Sequence, residues 1–166
     1  KTIHPPISSF LLTSEQSASG IINHVQKVNT NTVQIVDELT DGSYQQIREA
    51  LPYLKIVQVI HVTGEESIGQ ALAIKDKVDA ILLDSGNPSA ALKTLGGTGN
   101  THNWNISRKL VEQVGIPVFL AGGLHAGNVA EAVATVQPFG VDICSGVRTN
   151  GQLDEEKLTL FIKALS

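Results

Sequence analysis

The sequence predicts an α/β fold built on a parallel sheet. Short apolar runs rich in β-branched residues alternate with longer segments of helical period, which is the pattern of successive βα units. The apolar runs lack polar alternation, as expected of strands that are covered on both faces. The chain has 166 residues, of which 42% are hydrophobic, so it can bury one core. We therefore expect a single domain spanning residues 1–166.

Six strands and six helices are predicted in strict alternation. The strands fall at 7–12, 32–36, 56–62, 80–84, 117–121 and 141–144. The helices fall at 14–28, 43–51, 66–75, 105–114, 128–136 and 154–164. Ser14, Ser43 and Asp154 are the expected N-caps, because their side-chain oxygens can accept a free backbone N–H of the first turn.

Glycine-bearing turns follow the last two strands. VFLAGGL at 118–124 and VDICSGV at 141–147 both run from an apolar strand into small residues. Such turns leave backbone N–H groups uncovered, and the positive end of the next helix attracts an anion. In parallel β/α barrels a phosphate site recurs after the last two strands. The candidate phosphate-binding residues are Gly122, Gly123, Ser145 and Gly146; the alternative is that these are turn residues only.

Charge and composition exclude several classes of partner. The net charge is −4 and the twelve basic residues are scattered, so we expect no nucleic-acid partner. No apolar stretch approaches the roughly 20 residues that span a bilayer, so we expect no membrane partner. The five histidines lack metal-ligand spacing, and no metal is expected. One cysteine cannot form an internal disulfide, which fits a cytoplasmic location.

Four motifs carry a resemblance to a known family. ILLDS at 81–85, GGTGNTHNW at 96–104, LAGGLHAGNV at 120–129 and PFGVDICSGV at 138–147 together resemble the phosphoribosylanthranilate isomerases in order and spacing. The resemblance implies a (β/α)8 TIM barrel of the ribulose-phosphate-binding type. The six predicted strands look like its third to eighth, and about 45 residues with the first two strands have no counterpart in this sequence.

The resemblance also implies a reaction. Members of the family carry out an Amadori rearrangement of N-(5-phosphoribosyl)anthranilate to an aminoketose, a step of tryptophan biosynthesis. Ring opening needs a general acid and removal of the C2 proton needs a base, and no cofactor is implied. The expected partner is therefore a phosphorylated sugar–anthranilate molecule, bound by a monomer or a homodimer.

Site residues follow from the same resemblance. Asp84 matches the family's general acid; the alternative is a carboxylate that caps the turn after its strand. Gly96, Gly97 and Gly99 match a loop that covers the active site, or mark an ordinary loop. The family's general base is a cysteine on its first strand. Cys144 does not match it and is expected to be a small buried hydrophobe.

Departures from the family pattern point to a divergent relative. Val36 and Asp37 stand where the family has a histidine and a glycine, and Arg148 replaces a glutamate. Three functions stay open: an isomerase, a non-catalytic phosphate-ligand binder, and another phosphate-barrel enzyme such as a thiamine-phosphate-synthase-like transferase.

Overall fold

Six parallel strands form one sheet in which neighbours in sequence are neighbours in space. A computed structural model describes residues 3–4, 6–85 and 103–166. The strands are Phe10–Thr13 (β1), Thr32–Ile35 (β2), Lys55–His61 (β3), Ala80–Asp84 (β4), Val118–Leu120 (β5) and Gly140–Val141 (β6). The sheet order is β1-β2-β3-β4-β5-β6, and every pair is parallel. This is the strand order of a β/α barrel.

Helices alternate with these strands, as the sequence predicts. They are Ala18–Val28 (α1), Tyr44–Ala50 (α2), Glu66–Ile74 (α3), Trp104–Val114 (α4), Val129–Val136 (α5) and Glu155–Lys163 (α6). A 3-10 turn at Ser145–Val147 and a small antiparallel hairpin, Arg148–Thr149 (β7) with Gln152–Leu153 (β8), separate β6 from α6. In the part of the chain that the structure describes, no helix is both long and apolar enough to cross a membrane.

The two faces of the sheet carry different apolar clusters. Ile35, Ile56 and Leu83 face the helices and belong to the main core. On the opposite face, which would be the inside of a barrel, Val59 and Leu82 pack in a smaller cluster. Because side chains alternate between faces, each strand contributes to both layers, which explains the nearly continuous apolar runs.

The sheet has two open edges, β1 and β6. Among the described residues no ladder joins them, and the inner-face Leu12 of β1 is 60% exposed. The described residues therefore form an architecture of the barrel type, with six of the eight strands that a closed barrel needs.

Two predicted N-caps are confirmed and one is wrong. Ser43 forms a capping box with Gln46, and Asp154 accepts the backbone N–H of Lys157. Helix α1 begins after Ser17, not after Ser14. The segment before it pairs instead with the loop after β2, since the carbonyl of Gln16 accepts two backbone N–H groups from residues 40 and 41. That long-range pairing delays the helix and is invisible in the local sequence.

Strand boundaries also differ from the prediction at both edges. The predicted first strand, 7–12, forms as Phe10–Thr13, and the predicted last strand, 141–144, forms as Gly140–Val141. The ladder there ends when the N–H of Asp142 donates to the carbonyl of Leu120. Residues 143 and 144 then follow outside the ladder and line the cleft at the strand ends.

The corrected cap can be tested with matched serine variants. Ser17→Ala removes the oxygen that accepts the N–H of Gly20 at 3.1 Å, so we expect the free energy of unfolding to fall by about 1 kcal/mol. Ser14→Ala, at an exposed position outside the helix, should change it by less than about 0.5 kcal/mol. Urea unfolding of both variants checks this, and equal losses would contradict the assignment.

Candidate functional site

The carboxyl ends of β4, β5 and β6 meet at one cleft of about 190 Å³ on the inner face of the sheet. Ligand sites of open α/β sheets and barrels lie at this end of the strands. Four of the residues predicted from sequence lie in its wall: Asp84, Gly122, Gly123 and Ser145. Strand ends that are far apart in the chain thus supply one site.

Asp84 is the last residue of β4 and is 9% exposed. Its Oδ1 accepts the N–H of Ser85 at 2.8 Å, so the carboxylate does begin to cap the following turn. It also lines the cleft, so the two interpretations of this residue are compatible. A carboxyl group in this place can give a proton to, or take one from, a bound ligand.

Asp142 is a second acidic residue in the cleft, and sequence reasoning missed it. It follows β6 on the same face as Asp84. Partial burial in the concave wall, and then the negative charge of Asp84, raise the pKa of Asp142 above its ordinary value, although its side chain still contacts solvent. The available signal was a lone acidic residue inside the apolar run VDIC.

Gly122 and Gly146 let backbone segments touch. Gly122 has a φ of 86°, and a Cβ there would lie 2.6 Å from Oγ and 2.7 Å from N of Ser85. A Cβ on Gly146 would overlap the carbonyl oxygen of Leu124. Only glycine allows the turn after β5 to contact both of its neighbours. Gly146 is outside the cleft wall itself and acts by bringing the two turns together.

Backbone N–H groups in these turns are available to an anion. Those of Gly122, Gly123, Ser145 and Gly146 have no acceptor within the described ranges. Asn128 fixes the first turn, because its Oδ1 accepts the N–H of His125 at 2.8 Å and its Nδ2 donates to the carbonyl of Gly123 at 3.0 Å. Unpaired N–H groups held in this way next to the start of α5 can bind phosphate oxygens.

The remaining residues singled out in the sequence do not all lie where they were expected. Cys144 is exposed and lines the cleft, so the expectation of a buried hydrophobe was wrong. The reason is that the β6 ladder ends two residues earlier. Gly96, Gly97 and Gly99 lie outside the described residues. Within the part that is described, no cluster of His, Cys, Asp and Glu could hold a metal ion.

A second, larger cavity of about 560 Å³ adjoins the cleft. It opens between α2 and α3, above the ends of β2 and β3. Val36 and Val59 line both spaces, so the segment after β2 forms part of the wall between them.

Fold and site together define a protein of the β/α-barrel type in which glycine-bearing strand-end turns with unpaired N–H groups lie beside two acidic residues. Comparisons give the family: residues 12–164 match the model of N-(5'phosphoribosyl)anthranilate (PRA) isomerase. The chain belongs to this family. N-(5'-phosphoribosyl)anthranilate isomerase 2 of Methanosarcina mazei is 38% identical over 95% of this chain and 70% of its own length.

Solved structures agree on the fold. Phosphoribosyl anthranilate isomerase from Thermotoga maritima superposes with a TM-score of 0.77 at 25% identity, over 98% of this chain and 74% of that one. A thiamine phosphate pyrophosphorylase from Pyrococcus furiosus superposes with a TM-score of 0.61 at 22% identity, over 95% of this chain and 68% of that one. That second likeness concerns the fold alone and does not favour a transferase.

The contact at Gly146 generates a prediction about anion binding. Gly146→Ala should separate the two turns and weaken the binding of inorganic phosphate at least tenfold. Overpacking at the new Cβ should also lower the free energy of unfolding by about 1–3 kcal/mol. Gly69→Ala is the control, because this helical glycine has open space around it and alanine should stabilise the protein slightly. Phosphate titration followed by ³¹P NMR gives both affinities. Unchanged binding in Gly146→Ala would contradict the role of the contact.

Proposed function

We propose that this chain isomerises N-(5-phosphoribosyl)anthranilate to 1-(o-carboxyphenylamino)-1-deoxyribulose 5-phosphate, the Amadori step of tryptophan biosynthesis. The observation that carries the proposal is the placement of Asp84 beside the unpaired N–H groups of two strand-end turns, in one cleft of a family member. A solved isomerase in complex with the reduced form of that product superposes on this chain with a TM-score of 0.74 at 23% identity, over 98% of this chain and 73% of that one.

In this proposal, the two ends of the substrate contact different parts of the cleft. The N–H groups of Gly122, Gly123, Ser145 and Gly146 hold the phosphate. Asp84 gives a proton to the ribose ring oxygen, the C1–oxygen bond breaks, and an iminium forms between C1 and the anthranilate nitrogen. A base then removes the C2 proton, and the electron pair moves toward nitrogen to give an enamine that tautomerises to the ketose.

The base belongs to a strand that has no counterpart in this sequence. By its resemblance to the family, this is a cysteine on the first strand of the barrel, across the sugar from Asp84. Asp142, whose pKa is raised by partial burial and then by the negative charge of Asp84, accepts hydrogen bonds from sugar hydroxyls when it is ionised. In this proposal, residues 1–166 thus supply the general acid and the phosphate-binding groups, and the base lies outside them.

The wider expectations are part of the same proposal. Residues 1–166 form one barrel domain that corresponds to the third to eighth βα units of the family. The cover-loop role of Gly96, Gly97 and Gly99 is proposed by resemblance alone, since these residues lie outside the described ranges. We expect a monomer or homodimer in the cytoplasm, without a nucleic-acid or membrane partner. The net charge of −4, the scattered basic residues and the single cysteine support these statements.

Asp84→Asn tests the proposed general acid in the full gene product. The amide cannot donate the proton at the ring oxygen, so turnover should fall by about 10²–10⁴-fold. Affinity for the reduced product analogue should change only a few-fold, since the phosphate contacts stay intact. Turnover is followed by the loss of phosphoribosylanthranilate fluorescence.

The matched control is Asp76→Asn, which makes the same chemical change at an exposed residue after α3. Its turnover should equal that of the wild type. An Asp84→Asn protein with wild-type turnover would show that another group protonates the ring oxygen.

A further inference from the structure

Gln58 is a buried amide that lies away from the cleft. It is on β3 and only 3% exposed, and its side chain lies on the helix side of the sheet, next to Tyr44 of α2. An amide in an apolar layer costs free energy unless its hydrogen-bonding groups are satisfied. Glutamine at this position, among Ile and Val neighbours, is therefore explained by the hydrogen bonds that it makes.

The amide of Gln58 ties three strand-end carbonyls together. Its Nε2 lies 3.1 Å from each of the carbonyl oxygens of Ile35, Asp37 and Val59. The two N–H bonds are therefore shared among acceptors on the end of β2, on the segment that follows it, and on β3 itself. This fixes residues 36–38 relative to β3 at the point where the backbone ladder between the two strands stops.

Tyr44 sets the orientation of that amide. Its hydroxyl donates to Oε1 of Gln58 at 2.9 Å, which leaves the NH₂ group facing the carbonyls. Burial, and then the negative charge of Glu38, raise the pKa of Tyr44 to about 12. The hydroxyl thus stays a donor at all physiological pH values, and the amide cannot flip without losing this bond.

The segment held in this way is a wall of the candidate site. Val36 lines both the cleft and the adjoining cavity, and its N–H donates to the carbonyl of Thr13 on β1 at 2.9 Å. A ligand whose phosphate lies at the turns after β5 and β6 must place its other end toward the opposite wall. The position of residues 36–38 then determines how well that other end fits.

We infer that Gln58 and Tyr44 are positioning residues that set the wall at residues 36–38 and thereby the affinity for the non-phosphate part of the substrate. The inference rests on the proposed function for the identity of that substrate. It assigns no proton transfer to either residue, since both act through the backbone of the β2 end.

Tyr44→Phe removes only the hydroxyl, and Tyr53→Phe is the matched control because Tyr53 is 55% exposed. The probes are the reduced product analogue and inorganic phosphate. In Tyr44→Phe the loss of one neutral hydrogen bond should weaken binding of the analogue about fivefold and leave the affinity for phosphate unchanged. Tyr53→Phe should change neither affinity. A general loss of structure would weaken the binding of both ligands, so the ratio of the two affinities is the informative quantity.

Amide hydrogen exchange gives a second measurement that needs no ligand. In Tyr44→Phe the N–H of Val36 should exchange faster, while that of Ala121, which donates to Leu83 at 2.7 Å on the other side of the cleft, should keep its rate.

The inference would be overturned by an unchanged exchange rate of the Val36 N–H, or by equal losses of affinity for the analogue and for phosphate. A wild-type protein that binds phosphate but not the analogue would instead contradict the proposed function, and the exchange rates would still decide whether Tyr44 positions the wall.

Discussion

The site depends on one constraint, which is that three backbone turns from different strands must touch. The turn after β5 lies between its neighbours: Gly122 meets the end of β4 at Ser85, and Gly146 meets the carbonyl of Leu124. A single Cβ at either glycine would push the turns apart. Because the turns are in contact, Gly122, Gly123 and Ser145 lie together with Asp84 in the wall of one small cleft.

The opposite wall is built by a different interaction. At β4 to β6 the absence of side chains lets backbone approach backbone, whereas at β2 and β3 a buried side chain connects the strand ends through Gln58. The first arrangement is rigid because it is close packed, and the second because a satisfied amide has one orientation. The two walls of the cleft therefore have separate physical origins, which is why they can be perturbed independently.

Much of the fold was predictable, because strands buried on both faces leave long apolar runs; β4 was predicted at its observed bounds. The positions of Asp84 and the turn glycines at strand ends were also predictable, since strand ends and glycines are local features. Asp142 and Gln58 were not, because each is one polar residue in an apolar run, and a run alone does not tell which face it occupies or what it meets. Ser17 was missed for a related reason, since pairing with a distant loop decides where α1 begins.

The charge change at Arg148 is close in the chain to this cleft. This residue comes directly after the 3-10 turn that contributes Ser145 and Gly146, and its guanidinium donates to the carbonyl of Gly151 at 2.8 Å inside the β7–β8 hairpin. The guanidinium is therefore held in the hairpin, and Arg148 is not among the residues that line the cleft. Asp84 and Asp142 are acidic residues that do line the cleft. Under the proposed function, the turn N–H groups contact the phosphate and the carboxyl groups contact the neutral sugar, so the two ends of the substrate meet different chemistry.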